Sequence, residues 1–344
     1  MSRHAGPTFV TKVWRPMTMH NPLSPRSPFS IALALSLSFL LVYYIFGNLG
    51  WAPSSESLKL IGQISGWCER VSGGIFREPV NALSNLGFMV VGLSMFFILS
   101  KEQLDTKNGN LFYGITPVSV LYAGAVIWLG PGSMLMHGTH TAWGGWADNL
   151  SMVMYILLPW LINVSTMGGW SVGKLIKVYA IIVCIYAVAR WFFGGRLGIH
   201  LDLFGLSIGL WAISECLYRF WSPTFRWLSG FIGFVVAAVF GIMPADMIAE
   251  PQKFWWVILF WIPAILSPNE PATTRRYTPW YFLGIAAYII AFLIWLKGRP
   301  DNPWCVPDSW VQLHALWHLL TAAATWCFFK FLRTEAPKIK TANG

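Results

Sequence analysis

The segment VQLHALWHLL, residues 311–320, carries His314 and His318 four positions apart in an otherwise apolar stretch. A second segment, GSMLMH, ends on His137 with Ser133 at the same spacing before it, and Asp148 follows eleven residues on. Side chains at i and i+4 share one face of a helix, so each pair points one way. Two imidazoles from one helix and a third from a neighbour supply three nitrogens to a tetrahedral zinc ion. Its fourth position is then open to water, as in catalytic zinc sites. Such a water is acidified to a pKa of about 7, and the Asp148 carboxylate is spaced to accept its proton. The Ser133 hydroxyl is placed to hydrogen-bond an oxygen that develops negative charge. These parts suit hydrolysis of an amide or ester that arrives through lipid.

Each piece also has a plainer role. A histidine in a membrane helix often does no more than hydrogen-bond a neighbouring helix. Glu78 is a natural first-turn carboxylate for a helix dipole. In HGTH, His140 is an alternative ligand to His137, although its position suits a cap or a water-facing side chain. His200 and Asp202 sit together at another helix start and read as interfacial. A haem held between His137 and one of the last pair is a third arrangement, but it leaves the other histidine and Asp148 without a task.

The elements that must position these groups follow from composition. Of 344 residues, 56% are hydrophobic and only 11% charged, with a mean hydropathy of +0.55. Soluble domains carry roughly 25% charged residues, so the chain reads as an all-α integral membrane protein. A helix needs about 20 apolar residues to cross a bilayer. Ten candidates follow one another, at roughly 29–49, 79–99, 111–136, 146–167, 172–193, 200–220, 226–243, 253–267, 278–297 and 309–332. The weakest is FWWVILFWIPAIL, short, interrupted by Pro263 and readable as a re-entrant piece. The first has no cleavage site and reads as an anchor. The formal net charge of +10 collects on one side if both termini are cytoplasmic, which is the positive-inside bias and excludes a nucleic-acid partner.

With that topology Glu78, Asn81, Ser133, His137, Asp148, His314 and His318 all fall near the outer face, on four helices, with WGGW (143–146) as the helix-breaking corner between His137 and Asp148. The outer side is the periplasm, a lumen or the extracellular space. The organisation read from the chain is a polar N-terminus (1–28), an added transmembrane helix (29–49), an outer loop (50–78), a hydrolase domain (79–333) and a cytoplasmic tail (334–344). Cys184, Cys216 and Cys327 lie within helices and read as buried thiols.

The chain resembles the alkaline ceramidases, within the superfamily of membrane hydrolases that includes the progestin and adiponectin receptors. The resemblance rests on WCE (67–69), EPVNALSN (78–85), SMLMH (133–137) with Asp148, and HALWHLL (314–320). It implies a seven-helix core with about three helices added, and zinc held by His137, His314 and His318. Asp148 would be the acid/base residue and Ser133 the oxyanion stabiliser, with Asn81 and Asn85 in support. The implied reaction is cleavage of the N-acyl bond of ceramide, or of another N-acyl membrane lipid, to a sphingoid base and a fatty acid. A receptor or scaffold that keeps zinc with little catalysis is the alternative within the same superfamily. The relatives' calcium site would map to Trp67, Glu69 and Glu78, but Gly66 stands where an aspartate is expected and Arg70 and Arg77 crowd a shortened loop. Cys68 and Cys305, in two outer loops, are the expected disulfide, which the relatives' outer-loop cysteines also suggest.

Overall fold

The computed structural model describes residues 27–51, 61–105, 107, 109–194 and 203–338. His200 and Asp202 lie outside the described residues. The chain forms helices α1 (Ser27–Leu49), α2 (Pro79–Ser84), α3 (Leu86–Lys101), α4 (Pro117–Thr139), α5 (Ala142–Met167), α6 (Val172–Phe193) and α7 (Leu203–Phe220). After them come α8 (Pro223–Leu228), α9 (Ile232–Val239), α10 (Pro244–Ala249), α11 (Ile262–Leu266), α12 (Trp280–Lys297) and α13 (Leu313–Leu332). Among the described residues, strand structure is limited to a two-residue pair, Thr273–Thr274 antiparallel to Ala336–Pro337.

Among the described residues, seven helices are long and apolar enough to cross a membrane: α1, the combined Pro79–Lys101 unit, α4, α5, α6, α12 and α13. The expected all-α membrane architecture is therefore present, and three of the ten apolar segments take another form. The sixth is α7, an 18-residue helix with a buried Glu215, less apolar than those seven but running from the histidine cavity at Phe204 to the opposite end of the bundle at Glu215. The seventh and eighth are broken into α8 and α9, and into a 3-10 turn (Trp255–Trp261) followed by α11. Pro223, Pro244 and Pro263 each stand in the first turn of a short helix, α8, α10 and α11, where proline is tolerated and a preceding helix cannot continue. The excursion returns to its starting side, since the Trp221 indole donates to the Ser267 carbonyl at 3.2 Å.

At the centre, α5 packs on α4, α6 and α7, while α13 packs on α12, α3 and α2. Close approach of α4 and α5 depends on Gly132, where a Cβ would lie 2.5 Å from the Ser151 side chain. Small residues at membrane helix contacts permit such approach without a hydrophobic driving force. Midway along the bundle the Tyr122 and Tyr155 hydroxyls meet at 3.0 Å, and Tyr122 also donates to the Thr325 carbonyl at 3.1 Å. That triangle ties α4, α5 and α13 into one rigid frame beneath the histidines.

Candidate metal centre

Each functional side chain sits at a helix end, at one end of the bundle. His137 occupies the last turn of α4 and Asp148 the second turn of α5, while His314 and His318 lie in the first turns of α13. The chain turns from α4 to α5 at His140, which adopts left-handed backbone geometry (φ 52°), followed by Thr141, whose hydroxyl caps α5. WGGW, expected to be the corner, is instead the first turn of α5. The break falls earlier because the C-cap and N-cap residues are His140 and Thr141.

One ring nitrogen from each of His137, His314 and His318 lies within 4.8 Å of the others, and all three residues are buried. His137 and His314 approach most closely, Nε2 to Nε2 at 3.1 Å. The remaining nitrogens identify which atoms face the centre. His137 Nδ1 is 2.9 Å from a Glu78 carboxylate oxygen, and His318 Nδ1 is 2.8 Å from the Ser84 hydroxyl. Both rings thus keep Nε2 for a ligand role, and such partners behind metal-binding histidines fix ring orientation and tautomer. Trp67 stacks on the His314 ring, with centroids 4.4 Å apart and planes at 20°. A haem sandwiched between opposed imidazoles does not fit three rings whose centroids lie 4.5–5.1 Å apart.

Ser133 Oγ is 3.5 Å from His318 Nε2 and also interacts with the Asp148 carboxyl. All of these groups line one cavity of about 860 Å³ whose farther walls are largely apolar and aromatic, including Ile208, Trp211, Ile285 and Phe328. A buried three-nitrogen set beside a carboxylate and a hydroxyl fits a zinc ion with an open coordination position.

Glu78 is the hub behind the site. Its carboxylate also takes His140 Nε2 at 2.5 Å and Asn81 Nδ2 at 2.7 Å. Burial opposes its ionisation, but the charge and hydrogen bonds of His137 and His140 outweigh that and hold its pKa down at about 2. His140 therefore caps α4, as one expectation had it, but it is buried rather than water-facing. Asn81 orients Glu78, and Asn85 donates to the Asn81 carbonyl at 2.9 Å.

The carboxylates of the expected calcium set already have partners within the chain. Glu69 spends its two oxygens on the Val80 and Asn81 backbone N–H groups, at 2.7 and 2.8 Å, which caps α2 from outside. Glu78 faces His137, His140 and Asn81. Calcium requires six to eight oxygens, and among the described residues no acidic cluster gathers them here. Arg70, expected to crowd this loop, turns away to pair with Asp308 at 2.7 Å.

Cys68 and Cys305 form a disulfide, Sγ to Sγ 2.11 Å, which joins the Trp67 loop to the loop before α13. The other cysteines differ from expectation: Cys184 is exposed on the outward face of α6, and Cys216 and Cys327 are half-buried. Ser84 and Tyr43 are site-side residues that the sequence reading missed. Ser84 is inside the quoted EPVNALSN motif, so a signal was present. A family model described as Ceramidase matches residues 64–340. No curated protein matches the chain.

Proposed function

This chain belongs to the ceramidase family, and on that premise we propose that it is a zinc-dependent intramembrane amidase that hydrolyses ceramide to a sphingoid base and a fatty acid. The observation that carries the reading is the convergence of three buried imidazoles with Asp148 and Ser133 on the wall of one largely apolar cavity. His137, His314 and His318 would hold the ion. When bound, zinc polarises a carbonyl oxygen and lowers the pKa of water to about 7.

The rest is work for the chain's own residues. The aromatic and aliphatic walls take the lipid tails and exclude bulk water, so charges at the reacting end interact strongly. Asp148 takes a proton from the attacking water as its oxygen bonds to the amide carbon. The Ser133 hydroxyl donates to the carbonyl oxygen as that atom gains negative charge. Asp148 then returns the proton to the leaving nitrogen as the carbon–nitrogen bond breaks. Glu78 and Ser84 hold two of the rings in register throughout.

The site end would face the outer, oxidising compartment, and both termini the cytoplasm. The disulfide supports this placement, as does the gathering of Lys101, Arg219, Arg226, Arg276, Lys330 and Arg333 at the opposite end. A receptor that retains zinc without turnover would leave Asp148 and Ser133 with no task. Turnover of a fluorescent ceramide by the purified protein tests the reading. It should be lost in Asp148→Ala, in His318→Ala and after chelation, and undiminished turnover in all three would remove the mechanism.

A further inference from the structure

We propose that the N-terminal helix α1, which lies outside the family-matched residues 64–340, completes the metal site through Tyr43, a positioning residue that aims Glu78 at His137. The inference rests on the zinc reading above. Most of α1 faces outward, and Leu41, Val42, Tyr44 and Ile45 are all exposed. Tyr43, between them, is only 3% exposed. Its ring stacks on Phe76, centroids 5.1 Å apart and planes at 15°, and its hydroxyl donates to the Ile75 carbonyl at 3.2 Å. The Trp51 indole, just past the helix, donates to the same carbonyl at 2.7 Å.

The hydroxyl end of Tyr43 abuts Gly138, where a Cβ would come within 1.9 Å of the phenolic oxygen. Residue 138 must therefore lack a side chain for Tyr43 to seat. Two backbone bonds lead from this contact into the site. Arg77 N donates to the Gly138 carbonyl at 3.0 Å, and Glu78 N donates to the His137 carbonyl at 2.9 Å. Tyr43 thus touches both partners of a backbone pairing in which the N–H groups of residues 77 and 78 cap the free carbonyls of His137 and Gly138 in the last turn of α4. That pairing carries the carboxylate and the imidazole that meet at 2.9 Å. A tyrosine serving only to anchor α1 would need neither the missing side chain at 138 nor contact with both segments.

Zinc affinity of the detergent-purified full-length protein, measured by competition with a chromogenic chelator and without substrate, tests this. Tyr43→Ala should weaken binding by about tenfold or more, the usual scale for losing support behind a metal ligand. Gly138→Ala, which evicts the ring without deleting it, should weaken binding similarly. The double variant should be no worse than either, since contacting residues are non-additive. Ala32→Leu, which overpacks α1 about 16 Å along its axis from Tyr43, should lower thermal stability and leave affinity unchanged. Wild-type affinity in both Tyr43→Ala and Gly138→Ala overturns the proposal, as does an equal loss in Ala32→Leu. A wild-type protein that takes up no zinc instead overturns the zinc reading on which this depends.

Discussion

The two ends of the bundle both bury charge-bearing side chains, yet they resolve the cost in opposite ways. At the end away from the histidines, Arg275 is fully buried with its Nε 2.7 Å from Glu335 and one Nη 2.6 Å from Asn163 and 3.3 Å from Glu215. Tyr277 adds a hydroxyl to Glu215 at 2.8 Å, and the guanidinium stacks 3.9 Å from the Tyr218 ring centroid. Burial works against the Arg275 charge, but the surrounding carboxylates outweigh it and raise its pKa further. Cation and anions come from the same chain, so the charge at this end is answered internally, although the second Arg275 Nη is buried without a hydrogen-bond partner. Its partners tie α5, α7, the loop before α12 and the chain segment after α13 together.

At the histidine end one carboxylate serves two histidines from behind, while His137, His314 and His318 bring one ring nitrogen each within 4.8 Å of the others with no carboxylate in the set. His314 Nδ1, Asn81 Oδ1 and Asn85 Oδ1 are buried without partners. Buried polar groups left open are costly, and a ligand that completed the three-histidine set would lower that cost. A self-neutralising cluster stabilises a fold, whereas an uncompensated donor set selects a ligand.

Variants at the two ends should therefore fail differently. Asp148→Asn should lower ceramide turnover by about 10³-fold, within the range for a lost general acid/base, with unchanged zinc content and melting temperature. A comparable loss of stability would make Asp148 structural and erase the contrast. Arg275→Met should do the reverse. Breaking a buried pair costs about 3–5 kcal/mol, so the melting temperature should fall sharply while zinc affinity per folded molecule stays at wild type. Glu78→Gln belongs to both classes and should weaken zinc binding by about 10–100-fold.

Glu78 also gives the contrast a pH signature. Its pKa is lowered from 4.5 to about 2 in the fold. The stabilisation it provides is thus fully present above about 4.5 and is lost as pH falls through about 2. Acid unfolding of the metal-free protein should lose this component in Glu78→Gln. The smallest effect belongs to Arg70→Gln, because exposed ion pairs contribute little. The melting temperature and turnover should not move.

Much of the site was legible in the sequence because helix geometry converts spacing into direction. The His314/His318 and Ser133/His137 pairs needed only the helical repeat, and Asp148 needed only a short turn between antiparallel helices. Glu78 was visible as a carboxylate but not as a hub, because its partners His137 and His140 are distant in sequence and meet it only through packing. Tyr43 carries no periodic signal at all within a helix that is apolar on every face. The segments 226–243 and 253–267 pass as candidate spans by hydropathy, although Pro223 and Pro244 flank the first and Pro263 already makes the second readable as re-entrant. Glu215, an acid inside an apolar helix, was itself a sign of the Arg275 cluster, since intramembrane ionisable residues rarely lack a partner.

The central claim is that three histidines from two helices hold one zinc ion beside Asp148. Metal analysis of the purified, zinc-replete protein tests it most directly. It should find about one zinc per chain in the wild type and in inactive Asp148→Asn, and none in the triple variant His137→Ala, His314→Ala, His318→Ala. An unchanged zinc content in that triple variant, or ceramide hydrolysis by a wild-type protein free of metal, would contradict it.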